Sequence, residues 1–240
     1  MNQAGGRGGA GGFSFAFQPI IDSEARGVFA YEALVRGQRG ESAGSVLSAI
    51  EAGALHAFDR DARLVAINLA GRLGLSTLLS LNFMPGSLYS LPDAIGAMLE
   101  AAAAARLPAR SLLLEVTEGE IISDVSAFAE QINAYREQGL RLAIDDFGAG
   151  YSGLNMLADF QPDVVKLDMR LVRGIDGNGP RQAIVRAVIQ ACDDLGIEVV
   201  AEGVETTEEF RWFQRRGVRL FQGYLFGRPA FEALPEPVWP

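Results

Sequence analysis

"RLAIDDFGAGYSGL" (141–154) decides how the chain is read, because an apolar strand runs straight into two adjacent carboxylates. Leu142, Ala143 and Ile144 precede Asp145 and Asp146, and a loop of small residues follows. Neighbouring carboxylates repel each other, and partial burial makes the repulsion worse. A positive charge from outside this stretch is needed to make the motif stable.

The same pattern recurs along the chain. Strands are expected at 13–22, 27–35, 78–83, 111–118, 140–146, 163–168, 197–203 and 219–224. Helical segments fall between them, at about 43–53, 58–73, 92–105, 124–138, 180–195 and 206–216, with Gly74 and Gly139 as stops. Such alternation predicts a mainly parallel sheet with helices outside it, and seven or eight units in one domain favour a closed barrel. Each strand stays apolar until its C-terminal end and then delivers a polar side chain. In order these are Glu32, Asn82, Glu115, Asp145 with Asp146, Lys166 with Asp168, Glu202 and Gln222. A barrel fills its interior with apolar side chains and carries its active site at the strand C-termini, so these residues should meet at one mouth.

Composition narrows the chemistry. The chain has 240 residues, 49% of them hydrophobic, enough for a full core. Thirty acidic residues against 21 basic ones give a net charge of −9, which argues against a broad grip on a nucleic-acid polymer. A small anionic ligand remains compatible if metal ions or a few placed cations neutralise it locally. The one cysteine, Cys192, forms no internal disulfide, so a cytoplasmic, reducing compartment is expected. The one histidine, His56, falls within helical periodicity, so the chemistry is expected to rest on carboxylates. No run reaches the roughly 18 apolar residues of a membrane span. Residues 1–12, "MNQAGGRGGAGG", read as a flexible Gly-rich tail before a domain at 13–240.

Glu32, Asn82, Glu115 and Asp145 form an all-oxygen ligand set suited to hard cations such as Mg²⁺ or Mn²⁺. Asp145 can bridge two ions while Asp146 binds the second, which removes the repulsion between the pair. Two cations about 3.5–4 Å apart are the usual apparatus for in-line attack of water on a phosphodiester. Lys166 can orient that water and hold developing negative charge; the bland alternative is a structural ion pair with Asp168 or Asp145.

Three near-matches carry less weight. "DFG" lacks the other protein-kinase elements. "GAGYSG" (148–153) has the spacing of a dinucleotide fingerprint, yet the aspartates before it would repel a pyrophosphate. Asn68 imitates the context of Asn82 but lies within the helical periodicity of 58–73.

"FQPIID", "YEALVRG", "EVTE", "IDDFGAGYSGL", "VVKLD", "VAEGVET" and "FQGYLFGRP" occur in this order, and together they resemble the EAL-domain family of cyclic di-GMP phosphodiesterases over about residues 13–234. The resemblance implies a modified (β/α)8 barrel with one antiparallel strand and hydrolysis of cyclic di-GMP to linear pGpG with two Mg²⁺ or Mn²⁺ ions. It implies that Glu32, Asn82, Glu115 and Asp145 hold the first metal, and that Asp145, Asp146 and Glu202 lie at the second. Lys166 matches the lysine that orients the water, and Gln222 a polar residue of the same mouth. Glu118 matches a glutamate supporting the loop after Asp146, with Glu205 in a similar supporting role; Gln18 and Arg36 match substrate-contacting positions. A homodimer through the loop and helix after the "DDFG" strand is also implied. A catalytically silent cyclic di-GMP receptor and an unrelated metal-dependent barrel enzyme are the alternatives.

Overall fold

The computed structural model describes residues 12–91, 93–117, 125–150 and 153–240. Two strands come first, β1 (Phe13–Asp22) and β2 (Gly27–Gly37). Only four residues join them, and so short a connection allows only an antiparallel pair. The Asp22 carboxylate shapes that turn by accepting the backbone N–H of Glu24 and of Ala25, each at 3.0 Å. After α1 (Ala43–Leu47) and α2 (Leu55–Arg72) strand and helix alternate. β3 (Leu78–Asn82) leads to α3 (Gly86–Ser90) and α4 (Ala94–Ala104), and β4 (Leu112–Thr117) to α5 (Val125–Arg136). β5 (Arg141–Phe147) leads to α6 (Gly153–Phe160), and β6 (Val164–Leu167) to α7 (Met169–Val172) and α8 (Gly179–Leu195). β7 (Glu198–Ala201), α9 (Thr207–Gln214), β8 (Leu220–Gln222) and β9 (Ala230–Phe231) complete the order.

In space the strands run β2-β3-β4-β5-β6-β7-β8-β1, and β1 also pairs with β2, so eight strands close into a barrel. Every neighbouring pair from β2 to β8 is parallel, whereas β1 is antiparallel to both β2 and β8. β9 is a short addition on β1. This is the modified (β/α)8 barrel with one antiparallel strand that the sequence led us to expect.

The barrel interior is layered. Ile20, Ala30, Leu113, Ala143, Val164, Val200 and Leu220 form one buried apolar cluster drawn from seven strands. It is separate from the larger core in which helices pack on the outside of the sheet. Side chains alternate faces along a strand, so the next inward position toward the mouth is two residues on. Those positions are Glu32, Glu115, Asp145, Lys166, Glu202 and Gln222, and, on the antiparallel β1, Gln18. A polar ring therefore rests directly on an apolar plug.

Local differences from the sequence expectation have physical causes. The helix expected over 43–53 is only the five-residue α1 followed by a 3-10 turn at Ala52–Ala54, in a stretch interrupted by Gly44 and Gly53. α3 and α7 were not anticipated, because each is too short to show a helical period, whereas α6 is the helix that the family resemblance placed after the "DDFG" strand. β2 runs on to Gly37 because β1 continues to pair with it as far as Phe13, so Glu32 sits mid-strand rather than at a strand end.

Leu113 is fully buried in the plug, directly beneath Glu115. Leu113→Ala is expected to cost about 3 kcal/mol through lost burial and a residual cavity. In a domain of this size that lowers the melting temperature by roughly 6–12 °C. A thermal melt with an unchanged midpoint would show that the plug is not packed as described.

Candidate active site

Lys166 stands at the centre of the mouth with only 1% of its side chain exposed. Its Nζ lies 2.7 Å from Glu202 Oε1, 2.8 Å from Glu115 Oε1, 3.0 Å from Asp145 Oδ1 and 3.6 Å from Glu32 Oε2. Burial alone would lower its pKa, but the four carboxylates outweigh that and hold it well above the ordinary lysine value. Gln222 Nε2 donates to Glu32 Oε2 at 2.6 Å and to Gln18 Oε1 at 3.2 Å, and Ser80 Oγ donates to Glu115 Oε1 at 2.5 Å. All eight barrel strands thus bring side chains into one hydrogen-bonded cluster, Glu202 from the residue just past the end of β7. Ser80 was missed from the sequence; its inward parity with Asn82, two residues on, was the available signal.

The two aspartates reach this cluster by breaking the strand rule. Successive strand residues point to opposite faces, so a regular β5 would turn Asp146 away from Asp145. Instead the pairing of β5 with β6 shifts register between Ile144 and Phe147, and Asp146 adopts φ of 54°. That left-handed backbone costs a non-glycine residue about 1–2 kcal/mol, less for Asp than for most. With it both carboxylates line the same cavity.

Two groups of three acidic residues have ligand oxygens within 4.8 Å of one another: Glu32, Glu115 and Asp145, and Asp145, Asp146 and Glu202. They share Asp145, the geometry a bridging carboxylate between two cations requires. Glu115 Oε2 is buried without a hydrogen-bond partner, an open lone pair that suits a metal and is costly otherwise. Desolvation raises Glu115 to about 8 and Glu202 well above the usual carboxylate range, with Lys166 pulling both the other way. Burial, then Asp145 and Asp168, raises Asp146 to about 6. One ammonium does not balance this many acids, and divalent cations fit the donor set.

Asn82 ends β3 opposite Glu115 in the strand register and is exposed toward solvent. Asn68, by contrast, lies on α2 and donates to the Leu64 carbonyl at 2.8 Å. Asp168 lines the cavity and caps α7 by accepting the Arg170 N–H at 2.8 Å, and Lys166 pairs with Asp145, Glu115, Glu202 and Glu32. Glu205 is on the rim, paired with Arg173. Arg36 is half-buried, donates to the Val35 carbonyl at 2.8 Å and is not on the described cavity wall. Glu118, and Tyr151 and Ser152 of the small-residue loop, lie outside the described residues. The cavity measures about 280 Å³, and its walls add Met169, Arg173 and Tyr224, which sequence reasoning did not single out. None of these three ends a strand.

The raised carboxylates set a pH dependence. An acid whose folded pKa exceeds its unfolded value near 4 binds a proton that unfolding releases, so stability falls as pH rises through that interval. For Asp146 the window ends at about 6 and for Glu115 at about 8. The metal-free melting temperature is therefore expected to fall between about pH 5 and pH 8.5, and Mn²⁺ should restore it at the upper end. Metal binding below about pH 8 should also release protons, visible as buffer-dependent heat in calorimetry. A melting temperature that rises with pH would contradict the charge state assigned to this cluster.

Comparison with known proteins agrees with the geometry. The EAL domain family model matches residues 7–229. The chain is 36% identical to the Escherichia coli blue light- and temperature-regulated antirepressor BluF over 227 residues, covering 94% of this chain and 56% of that protein. It is 40% identical over 126 residues to the Pseudomonas aeruginosa cyclic di-GMP phosphodiesterase PA2567, covering 52% of this chain and 21% of that one. It thus spans about half or less of the length of these curated relatives. Among solved structures, a standalone EAL protein from Vibrio cholerae O395 in a c-di-GMP bound form superposes with a TM-score of 0.90 at 44% identity, covering 95% and 96% of the two chains. The manganese and cyclic di-GMP complex of Klebsiella pneumoniae BlrP1 gives 0.89 at 46% identity, covering 94% and 59%. A closed barrel with one reversed strand, an acidic mouth around a buried lysine and a family match over nearly its whole length place this chain in the EAL-domain family.

Proposed function

We propose that the protein is a metal-dependent phosphodiesterase that opens cyclic di-GMP to linear 5′-pGpG. The observation that carries this reading is the pair of acidic groups sharing Asp145 around one ammonium, a donor set for two divalent cations. Relatives named cyclic di-GMP phosphodiesterases and neighbours holding cyclic di-GMP with manganese or calcium support the choice of substrate.

Glu32, Asn82, Glu115 and Asp145 would hold one Mg²⁺ or Mn²⁺ ion, and Asp145, Asp146 and Glu202 the other. Two such ions supply Lewis-acid charge to the phosphodiester and lower the pKa of a water nucleophile. Water attacks phosphorus in line, the bond to the ribose 3′-oxygen breaks, and that oxygen takes up a proton while the phosphate stays on the 5′ side. Lys166 orients the water and holds negative charge as it develops. Glu202 holds Lys166 in place through a 2.7 Å contact, and the proton the water loses passes to solvent while the 3′-oxygen gains one from it. Gln222 keeps Glu32 in orientation through its 2.6 Å hydrogen bond. Gln18 and Arg36 contact the substrate, Glu118 and Glu205 support the surrounding loops, and Asp168 anchors the start of α7.

Residues 13–240 form the working domain in this reading, and the messenger places it in the cytoplasm. No helix among the described residues is long and apolar enough to cross a membrane. A homodimer through α6 belongs to the same reading: Leu154 on that helix is 68% exposed. Leu154→Glu should convert the species seen by sedimentation from dimer to monomer; a monomeric wild type would end that part of the proposal.

The test is chromatography of cyclic di-GMP incubated with the protein and Mn²⁺, with an EDTA control. pGpG is expected only with metal present. Glu32→Ala and Asp145→Asn should abolish turnover, each removing a ligand oxygen. Lys166→Ala should lower kcat by about 10²–10⁴ while weakening binding far less. Retained activity in the carboxylate variants would mean that the metals bind elsewhere. The name of BluF, an antirepressor, favours one second reading, a silent receptor. Saturable binding of intact cyclic di-GMP with no product at any metal concentration would select it.

A further inference from the structure

The rim of the mouth carries a cation that the mechanism above leaves without a task. Six carboxylates line the described cavity wall against two cations, Lys166 on its floor and Arg173 at its edge. Lys166 is committed to the acids around it. A cyclic dinucleotide brings two phosphodiester charges, of which the reactive centre takes one. On the Arg173 side of the mouth the wall includes Asp146, Asp168 and Glu205, and a second phosphodiester placed there is repelled unless a cation meets it.

Arg173 is built to meet it. Its side chain is 50% exposed and its Nη2 pairs with Glu205 Oε1 at 2.5 Å, a carboxylate itself 42% exposed. An ion pair this open to water is weak and exchanges readily for a better-matched anion. The backbone beneath it is held from three sides. Arg173 N donates to the Met169 carbonyl at 2.9 Å, and the Arg173 carbonyl accepts from Arg181 Nη1 at 2.6 Å. Gly174 N donates at 2.8 Å to Glu209, a buried carboxylate that also accepts the N–H groups of Glu205 and Thr206. One buried acid thus ties the loop after β6 to the loop after β7. Arg173 is a half-exposed guanidinium on an anchored backbone, and guanidinium matches phosphate oxygens in shape and charge.

We propose that Arg173 leaves Glu205 to hold the phosphodiester that is not cleaved, and so selects ligands carrying two phosphates in one ring. This rests on cyclic di-GMP being the ligand. The contact is a specificity element distinct from the metal centre, and Glu205 is the competitor that holds the arginine in the free protein.

Calorimetric binding in the presence of Ca²⁺ tests the proposal without depending on turnover, with cyclic di-GMP and the linear dinucleotide GpG, which carries a single phosphodiester, as probes. Arg173→Ala should raise the Kd for cyclic di-GMP about tenfold and that for GpG less than about twofold. Arg173→Lys should recover most of the loss, because the charge is kept. Glu205→Gln should tighten cyclic di-GMP binding by about two- to threefold, the opposite sign. A Kd for cyclic di-GMP unmoved by Arg173→Ala, or equal losses for both probes, overturns the inference while leaving the phosphodiesterase reading standing. Wild-type protein that binds neither probe overturns both. The side chain is half-exposed, so the variants should fold, and matched melting curves check that they do.

Discussion

A buried ammonium ringed by four carboxylates is the condition on which this site depends. Within 3.6 Å of Lys166 Nζ lie oxygens of Glu32, Glu115, Asp145 and Glu202, contributed by four different strands. In a medium of low polarity such a group is stable only if its charges are nearly balanced. One lysine balances one carboxylate. Burial and mutual repulsion favour meeting the remainder partly by protonation, with Glu115 raised to about 8 and Glu202 raised well above the usual carboxylate range. Cations are the other route: the same excess of acid that burdens the fold makes the mouth a donor set that could hold divalent ions.

The barrel supplies the rigid frame that lets this be tolerated. Beneath the polar ring lies a plug of Ile20, Ala30, Leu113, Ala143, Val164, Val200 and Leu220. Burial of these side chains, worth about 1.5–3 kcal/mol for each large one, holds the strands at a spacing that the acids alone would push apart. β1 is essential to the closure, since it is hydrogen-bonded to β2 on one side and β8 on the other. Its reversed direction also brings Gln18 down into the ring, where it accepts from Gln222.

Two backbone departures sit beside the mouth. Asp146 sits at positive φ inside a register shift, and Gly203, next to Glu202, takes φ of 64° with its missing Cβ facing Met169 Cβ at 2.7 Å. A side chain at Gly203 would push the loops after β6 and β7 apart. Glu209 binds those loops together from behind with three backbone N–H groups. Local rules broken at Asp146 and Gly203 are compensated by packing and capping a few residues away, the usual arrangement at a functional site.

The sequence by itself marked Glu32, Glu115, Asp145, Lys166, Glu202 and Gln222 as polar side chains carried by apolar strands. With Ala30, Leu113, Ala143, Val164, Val200 and Leu220 placed in the plug by the structure, a side-chain period of two reaches the same six residues. Strand and helix alternation was enough for the barrel, and the lack of usable His and Cys was enough to point to an all-oxygen donor set. Short helices such as α7 were not legible, because four residues carry no period; its cap at Asp168 becomes visible only with the turn in hand. Ser80, Arg173 and Tyr224 escaped for a related reason: their position in the cavity depends on how separate strands and loops meet. Tertiary structure alone decided that Asp146 turns inward beside Asp145, since a regular strand would send it outward and only the register shift against β6 reverses it. It alone decided that Lys166 contacts four acids at once, since pairwise distances between residues up to 134 positions apart in the chain follow from barrel closure and not from spacing.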